Sequence, residues 1–154
     1  MWRMPEVRIL STVERAKRRA EVAGRRNMLL LTHFRWFAVV GQLATILIVR
    51  FGLDVSLPIV PMIAVLAGLV VLNLATTALL ARRHAIANWE LFLALLADFA
   101  ALSAELYMSG GATNPFAPIG LLQVVLGAVL LEAWSSWVFA ALQSIAFGVL
   151  ALVL

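Results

Sequence analysis

Long runs without any charge constrain this chain more than any other feature. Residues 55–81 and residues 134–154 contain no Asp, Glu, Lys or Arg. A helix of about 20 apolar residues crosses the hydrocarbon core of a bilayer. The whole chain is 64% hydrophobic and 13% charged, with no cysteine, whereas a soluble domain averages about 45–50% and about 25%. The sequence therefore predicts an integral membrane protein and excludes a soluble, disordered or disulfide-stapled one.

The apolar segments predict an all-α membrane protein, a polytopic bundle of about five transmembrane helices. The predicted spans are residues 34–53, 57–80, 89–108, 115–131 and 134–154. Because the loops between them are short, we expect neighbouring helices to be antiparallel.

A basic arm precedes the first span. Residues 1–26 hold eight basic and three acidic side chains, a net charge of +5. Basic residues beside a first span favour the cytoplasmic side. Residues 1–33 are therefore predicted to form a basic cytoplasmic arm, and residues 34–154 the transmembrane domain. Such an arm can bind nucleic acid or an anionic lipid surface, and we expect the lipid bilayer, not nucleic acid, as its partner.

Two carboxylates lie within the third predicted span. Glu105 follows Asp98 by seven residues, so both share one helix face about 10 Å apart along the axis. A carboxylate at bilayer depth costs a few kcal/mol unless it faces another helix, water or a ligand. Both are candidate proton or hydrogen-bond partners, although Glu105 is also close enough to the loop to reach interfacial water.

Other polar side chains in the spans are candidates to bond with Asp98 or to join helices as packing contacts. They are Gln42, Thr45, Asn73, Thr76, Thr77, Gln123, Gln143 and Ser144.

The loop after the third span has the most specific pattern. It consists of the GGATNPF segment, residues 110–116. The glycine pair permits unusual backbone angles, and Pro115 suits the first position of a helix. Asn114 offers an amide donor and acceptor, and Phe116 offers a flat apolar surface. The residues alone fit both a capped turn and a binding site for a small uncharged ligand with carbonyl oxygens.

This segment resembles the GGxxNPF heptapeptide of the RegB/PrrB/ActS-type redox-sensing histidine kinases. Residues 35–42, RWFAVVGQ, resemble the same family's pattern at the start of its first span, and Asp98 is similar in position to a family residue. The resemblance covers about residues 35–154. It implies the N-terminal transmembrane sensor domain, with the heptapeptide between spans three and four.

The resemblance implies a function and a site. The domain would sense the redox state of the ubiquinone pool, with ubiquinone as the bound ligand. The quinone-binding residues carried over from the heptapeptide are Gly110, Gly111, Asn114, Pro115 and Phe116. The implied location is the bacterial inner membrane, multi-pass, with the N-terminus in the cytoplasm.

The resemblance also implies partners: the protein's own kinase domain, a response regulator and a second copy in a homodimer. The chain itself has no pattern of a phosphoacceptor box or ATP-binding loop. We expect the chain not to be an enzyme, the kinase portion to be absent, and the parent protein to be a histidine kinase.

Two other functions fit the residues. A small proton-coupled transporter would use Asp98 and Glu105 as a proton relay, and a structural membrane subunit would use its polar residues only for packing. No spacing of metal ligands and no nucleophile with a base occurs in the sequence, so no metal or catalytic residue is predicted.

Overall fold

The computed structural model describes residues 4–52, 58–109 and 117–153, and side chains from residue 12 to residue 152 within those ranges. Its five α-helices are α1 (Met4–Leu47), α2 (Ile59–Arg82), α3 (Asn88–Met108), α4 (Ile119–Leu130) and α5 (Ala133–Val153). A π-helical turn, Ile48–Gly52, continues α1. The described residues contain no strand, and the predicted all-α membrane bundle is confirmed.

Helix α1 joins the basic arm to the first span without a break. It has 44 residues, which at 1.5 Å each make a rod of about 66 Å. The hydrocarbon core is about 30 Å thick, so part of α1 must lie outside it. The boundary predicted at residues 33 and 34 therefore falls inside one continuous helix.

Four of the described helices are long and apolar enough to cross a membrane, and α4 is shorter. Helix α4 has 12 residues, or about 18 Å. It begins at Ile119, after a turn in which Gly120 and Leu121 donate to the carbonyl oxygens of Ala117 and Pro118. The fourth helix is therefore shorter than the predicted span of residues 115–131, whose first two residues lie outside the described residues.

Apolar packing is densest at one end of the bundle, where α2 and α4 finish and α3 and α5 begin. The buried residues there include Met28, Leu31, Leu80, Leu91, Leu95, Phe99, Leu130 and Phe139. Phe139 makes edge-on ring contacts with Phe92 and Phe99. Gly127 permits this approach of α4 and α5, since a Cβ atom there would lie 2.7 Å from the Phe139 ring. The same end is the predicted cytoplasmic end.

Polar side chains of α1 form hydrogen bonds with α2 and α4 at this end. Arg25 donates to the carbonyl oxygen of Leu80 at 3.3 Å, and Asn27 donates to that of Leu130 at 2.9 Å. The last carbonyl groups of a helix have no partner within it, so these bonds complete the ends of α2 and α4. The cavity described next begins beside this apolar cluster, since Leu31 and Leu95 belong to both.

Candidate ligand-binding site

A largely buried ion pair joins α1 and α3. Arg35 is 3% exposed and donates to both carboxylate oxygens of Asp98, from Nε at 2.5 Å and from Nη2 at 2.8 Å. Its remaining contacts are with Asn73 and Thr76 of α2 and with the carbonyl oxygen of Ala94, each at 3.5 Å. We call Arg35, Asn73, Thr76 and Asp98 the Arg35 layer.

The polar atoms of the Arg35 layer are satisfied within the protein. A guanidinium carries five N–H groups, and the five contacts of Arg35 use one each. Asn73 is fully buried, and its amide also donates to the carbonyl oxygen of Thr32 at 3.2 Å. The layer thus joins α1, α2 and α3 and leaves Arg35 no free donor for a ligand.

The sequence does not single out Arg35 as the partner of Asp98. Arg35 lies at one end of the predicted span of residues 34–53. In the structure it lies within continuous α1, after the buried residues Met28 and Leu31. The signal was present in the sequence: the apolar run of residues 28–31 puts Arg35 inside an apolar segment rather than at its edge.

A second polar group lies two helical turns away. Gln42 of α1, Glu105 of α3 and Gln123 of α4 all line one cavity. Gln42 follows Arg35 by seven positions, and Glu105 follows Asp98 by seven. Because α1 and α3 run in the same direction, both residues lie two turns further along the bundle. We call Gln42, Glu105 and Gln123 the Glu105 layer.

The Glu105 layer, unlike the first, contains polar atoms without partners. The Oε1 atoms of Gln42, Glu105 and Gln123 are buried and have no hydrogen-bond partner in the structure as described. An acceptor in this state costs about 1–3 kcal/mol. Retaining three such atoms around one cavity indicates a place where a ligand or water supplies donors.

A cavity of about 560 Å³ connects the two layers. Its walls come from α1, α2, α3 and α4 and are mostly apolar. The lining residues include Phe34, Phe37, Ile46, Met62, Leu69, Leu95, Leu102, Leu106, Leu122 and Leu126. An apolar cleft with a few convergent polar groups is the usual form of a small-molecule site.

The structure brings together only part of the predicted site. Asp98 and Glu105 both line the cavity, so the two predicted carboxylates share one site. Gly110, Gly111, Asn114, Pro115 and Phe116 lie outside the described residues. Ser109 and Ile119, on either side of that segment, line the cavity. No group of residues that could hold a metal ion occurs in the described ranges.

Sequence comparison identifies a protein that is similar to this chain. The chain is 33% identical over 125 residues to the sensor histidine kinase RegB of Cereibacter sphaeroides, a match that covers 81% of this chain and 26% of the relative. The resemblance to the RegB-type sensor histidine kinases is confirmed. The similarity and the apolar helices together support the membrane domain of a sensor kinase.

This chain spans about a quarter of the length of that curated relative, since the match covers 26% of it. No protein-family model matches the chain. No solved structure matches it either.

Proposed function

We propose that the chain is the redox-sensing input domain of a two-component sensor histidine kinase and that it binds ubiquinone. The observation that carries this proposal is the set of unpartnered oxygens of the Glu105 layer in an apolar cavity. The similarity to RegB supports the sensor-kinase part of the proposal.

The cavity suits a quinone in size and polarity. Its volume of about 560 Å³ lies within the range of about 300–1,000 Å³ that is usual for small-molecule sites. A quinone has an apolar ring with two oxygens and an apolar tail. The aliphatic and aromatic walls fit the tail and ring, and Glu105 offers a polar contact. Bound ubiquinone would supply a ring whose oxygens accept hydrogen bonds when oxidised and also donate them when reduced.

The GGATNPF segment is proposed as a further part of the site. We assign Gly110, Gly111, Asn114, Pro115 and Phe116 to quinone binding on the strength of the family resemblance. Supporting this assignment, Ser109, directly before the segment, and Ile119, three residues after it, line the cavity.

The remaining proposals concern the longer protein. The domain would lie in a bacterial inner membrane with its N-terminus in the cytoplasm, act as a homodimer and control its own kinase domain and a response regulator. A ligand shifts such an equilibrium only if it binds two arrangements with different affinity. The oxidised and reduced rings must therefore favour different packings of α1, α3 and α4 around the cavity.

The test is the quinone content of the purified chain. We expect stoichiometric quinone in the wild type and loss of it in Asn114→Ala and in Glu105→Leu. Ser144→Ala is the matched control, because this exposed α5 residue lies off the cavity and its hydroxyl donates to the carbonyl oxygen of Ala140. Quinone is extracted from detergent-purified protein and quantified per chain.

Each other outcome contradicts a specific part of the proposal. Quinone retained in Asn114→Ala but lost in Glu105→Leu would remove the loop from the site and keep the cavity. No quinone in the wild type, even after incubation with added ubiquinone, would overturn the proposed ligand.

A further inference from the structure

The walls of the cavity differ in how far they are shielded from the surroundings. The lining residues from α2 and α3 are buried or half-buried, among them Leu69, Leu102 and Glu105. The exposed lining residues come from α1 and α4 instead: Phe37 is 77% exposed and Leu122 is 53% exposed. The cavity is therefore open to the outside between α1 and α4.

This opening lies at the depth of the bilayer. Phe37 and Gly41 line it on α1, and both fall within the predicted span of residues 34–53. The hydrogen bond from Asn27 to the carbonyl oxygen of Leu130 joins α1 to α4 at the predicted cytoplasmic end. Gly41 lies about 21 Å farther along α1. The opening therefore faces the hydrocarbon chains of the lipid rather than water.

Small side chains leave space on the α1 side of the opening. Ala38, Gly41 and Thr45 line the cavity at intervals of about one helical turn. A Cβ atom at Gly41 would meet no side chain or neighbouring helix within 4 Å. The Thr45 hydroxyl donates to the carbonyl oxygen of Gly41 at 2.9 Å, so it is satisfied within its own helix. These positions offer a ligand room and an apolar surface.

The inner wall of the cavity has the opposite character. Glu105 is only 6% exposed, and its Oε1 atom has no hydrogen-bond partner among the described residues. Gln42 and Gln123 line the cavity beside it. A molecule that fills the cavity from this wall to the opening needs a polar group at one end and an apolar chain at the other.

We propose that the gap between α1 and α4 is a lateral portal from the bilayer and holds the apolar chain of the ligand, whose ring lies at the Glu105 layer. The portal gives direct access to amphiphiles dissolved in the membrane, whereas a water-soluble molecule would first have to enter the hydrocarbon core. Gly41 thereby becomes a specificity residue for the chain. The inference rests on the proposed function, since it concerns the chain of the same ligand.

The first test locates the chain of a bound ligand by photo-cross-linking. The detergent-purified protein is incubated with a decylubiquinone analogue that carries a diazirine at the end of its decyl chain, and the cross-linked residues are identified by mass spectrometry. Cross-links that excess decylubiquinone suppresses come from the bound probe, whereas those that persist come from probe dissolved in the micelle. We expect suppressible cross-links at residues 34–41 of α1 and 119–126 of α4.

The second test closes the portal with Gly41→Leu and uses Gly68→Leu as the matched control. Both glycines are exposed residues within helices, with no neighbouring side chain or helix within 4 Å of the Cβ position. Gly68 of α2 does not line the cavity. A leucine at position 41 occupies the place of the chain, so the affinity for decylubiquinone should fall about tenfold. Gly68→Leu should bind like the wild type.

The two proposals fail in different ways. If the wild type binds no decylubiquinone, the proposed function is overturned. If it binds decylubiquinone but no suppressible cross-link falls on α1 or α4, or Gly41→Leu keeps the affinity of Gly68→Leu, quinone binding stands and the portal is wrong.

Discussion

The Arg35 layer and the Glu105 layer lie two helical turns apart between the same two helices, and they differ in how far their polar atoms are satisfied. In the first, the donors of Arg35 and both oxygens of Asp98 have partners. In the second, three oxygens have none in the part of the chain that the structure describes. Arg35 and Asp98 line the same cavity as the Glu105 layer, so the contrast separates a group that holds helices together from a group suited to a ligand.

This difference matters because Asp98 and Glu105 look equivalent in the sequence. Depth in the span would favour Asp98 as the functional carboxylate, since it is farther from the loop. The structure shows Asp98 engaged by Arg35 through two bonds. A proton relay through Asp98 would require it to leave that pair, whereas Glu105 keeps one oxygen without a partner.

The largest effect should come from removing Arg35 alone. Arg35→Leu leaves the Asp98 carboxylate buried without its cation, which costs about 3–5 kcal/mol in the free energy of unfolding. Denaturant titration in detergent micelles, followed by helical circular dichroism, measures the change.

The matched control is the double variant Arg35→Leu with Asp98→Leu. Replacing both charges with apolar residues removes the unpaired carboxylate, so this variant should be more stable than Arg35→Leu. Equal or lower stability of the double variant would show that the ion pair is not the unit that stabilises the layer.

A smaller loss is expected at Asn73, which donates to Thr32 and accepts from Arg35. Asn73→Leu keeps the volume, removes the bond to the carbonyl oxygen of Thr32 and leaves one N–H group of Arg35 without its acceptor, which costs about 1–2 kcal/mol. The same titration measures it. A change as large as that of Arg35→Leu would contradict the view that Asn73 is an accessory to the ion pair.

The weakest member of the layer is Thr76. Its hydroxyl donates to the carbonyl oxygen of Leu72 at 2.8 Å, and its contact with Arg35 is long, at 3.5 Å. Thr76→Val should therefore cost less than about 1 kcal/mol. A larger loss would mean that Arg35 depends on α2 as much as on Asp98.

Sequence reasoning could predict the helices and the shared face of Asp98 and Glu105, because apolar run length and helical periodicity are local properties. It could not give the partner of Asp98. That partner depends on how far α1 continues before residue 34 and on which of its faces meets α3. Both are consequences of packing between segments that are 63 residues apart.

The polar residues that share the cavity with Glu105 are harder still to predict. From the sequence, Gln42 and Gln123 are candidates for a bond with Asp98 or for packing contacts, and nothing in their local sequence separates them from Gln143. The structure does separate them: Gln143 donates to the carbonyl oxygen of Gly120 at 2.6 Å between α4 and α5, whereas Gln42 and Gln123 line the cavity. The GGATNPF segment remains a prediction, since residues 110–116 lie outside the described residues.

The smallest effect on stability is expected for Gln123 of the Glu105 layer. This residue gives the most direct test of the contrast between the two layers. Gln123 Oε1 is buried without a partner in the described structure. Its desolvation therefore lowers the free energy of unfolding of the chain without ligand. Gln123→Leu replaces the amide with an apolar side chain of similar volume, and such a change is nearly neutral or stabilising. The free energy of unfolding without ligand should therefore change by less than about 1 kcal/mol, measured by the same titration as for Arg35→Leu.

The possible outcomes for Gln123→Leu separate a structural role from a ligand-binding role. A loss of several kcal/mol would make Gln123 a structural residue like Asn73. Unchanged stability together with weaker ubiquinone binding would show that Gln123 serves the ligand rather than the fold, because a buried polar group without a partner gains one only when the ligand is bound.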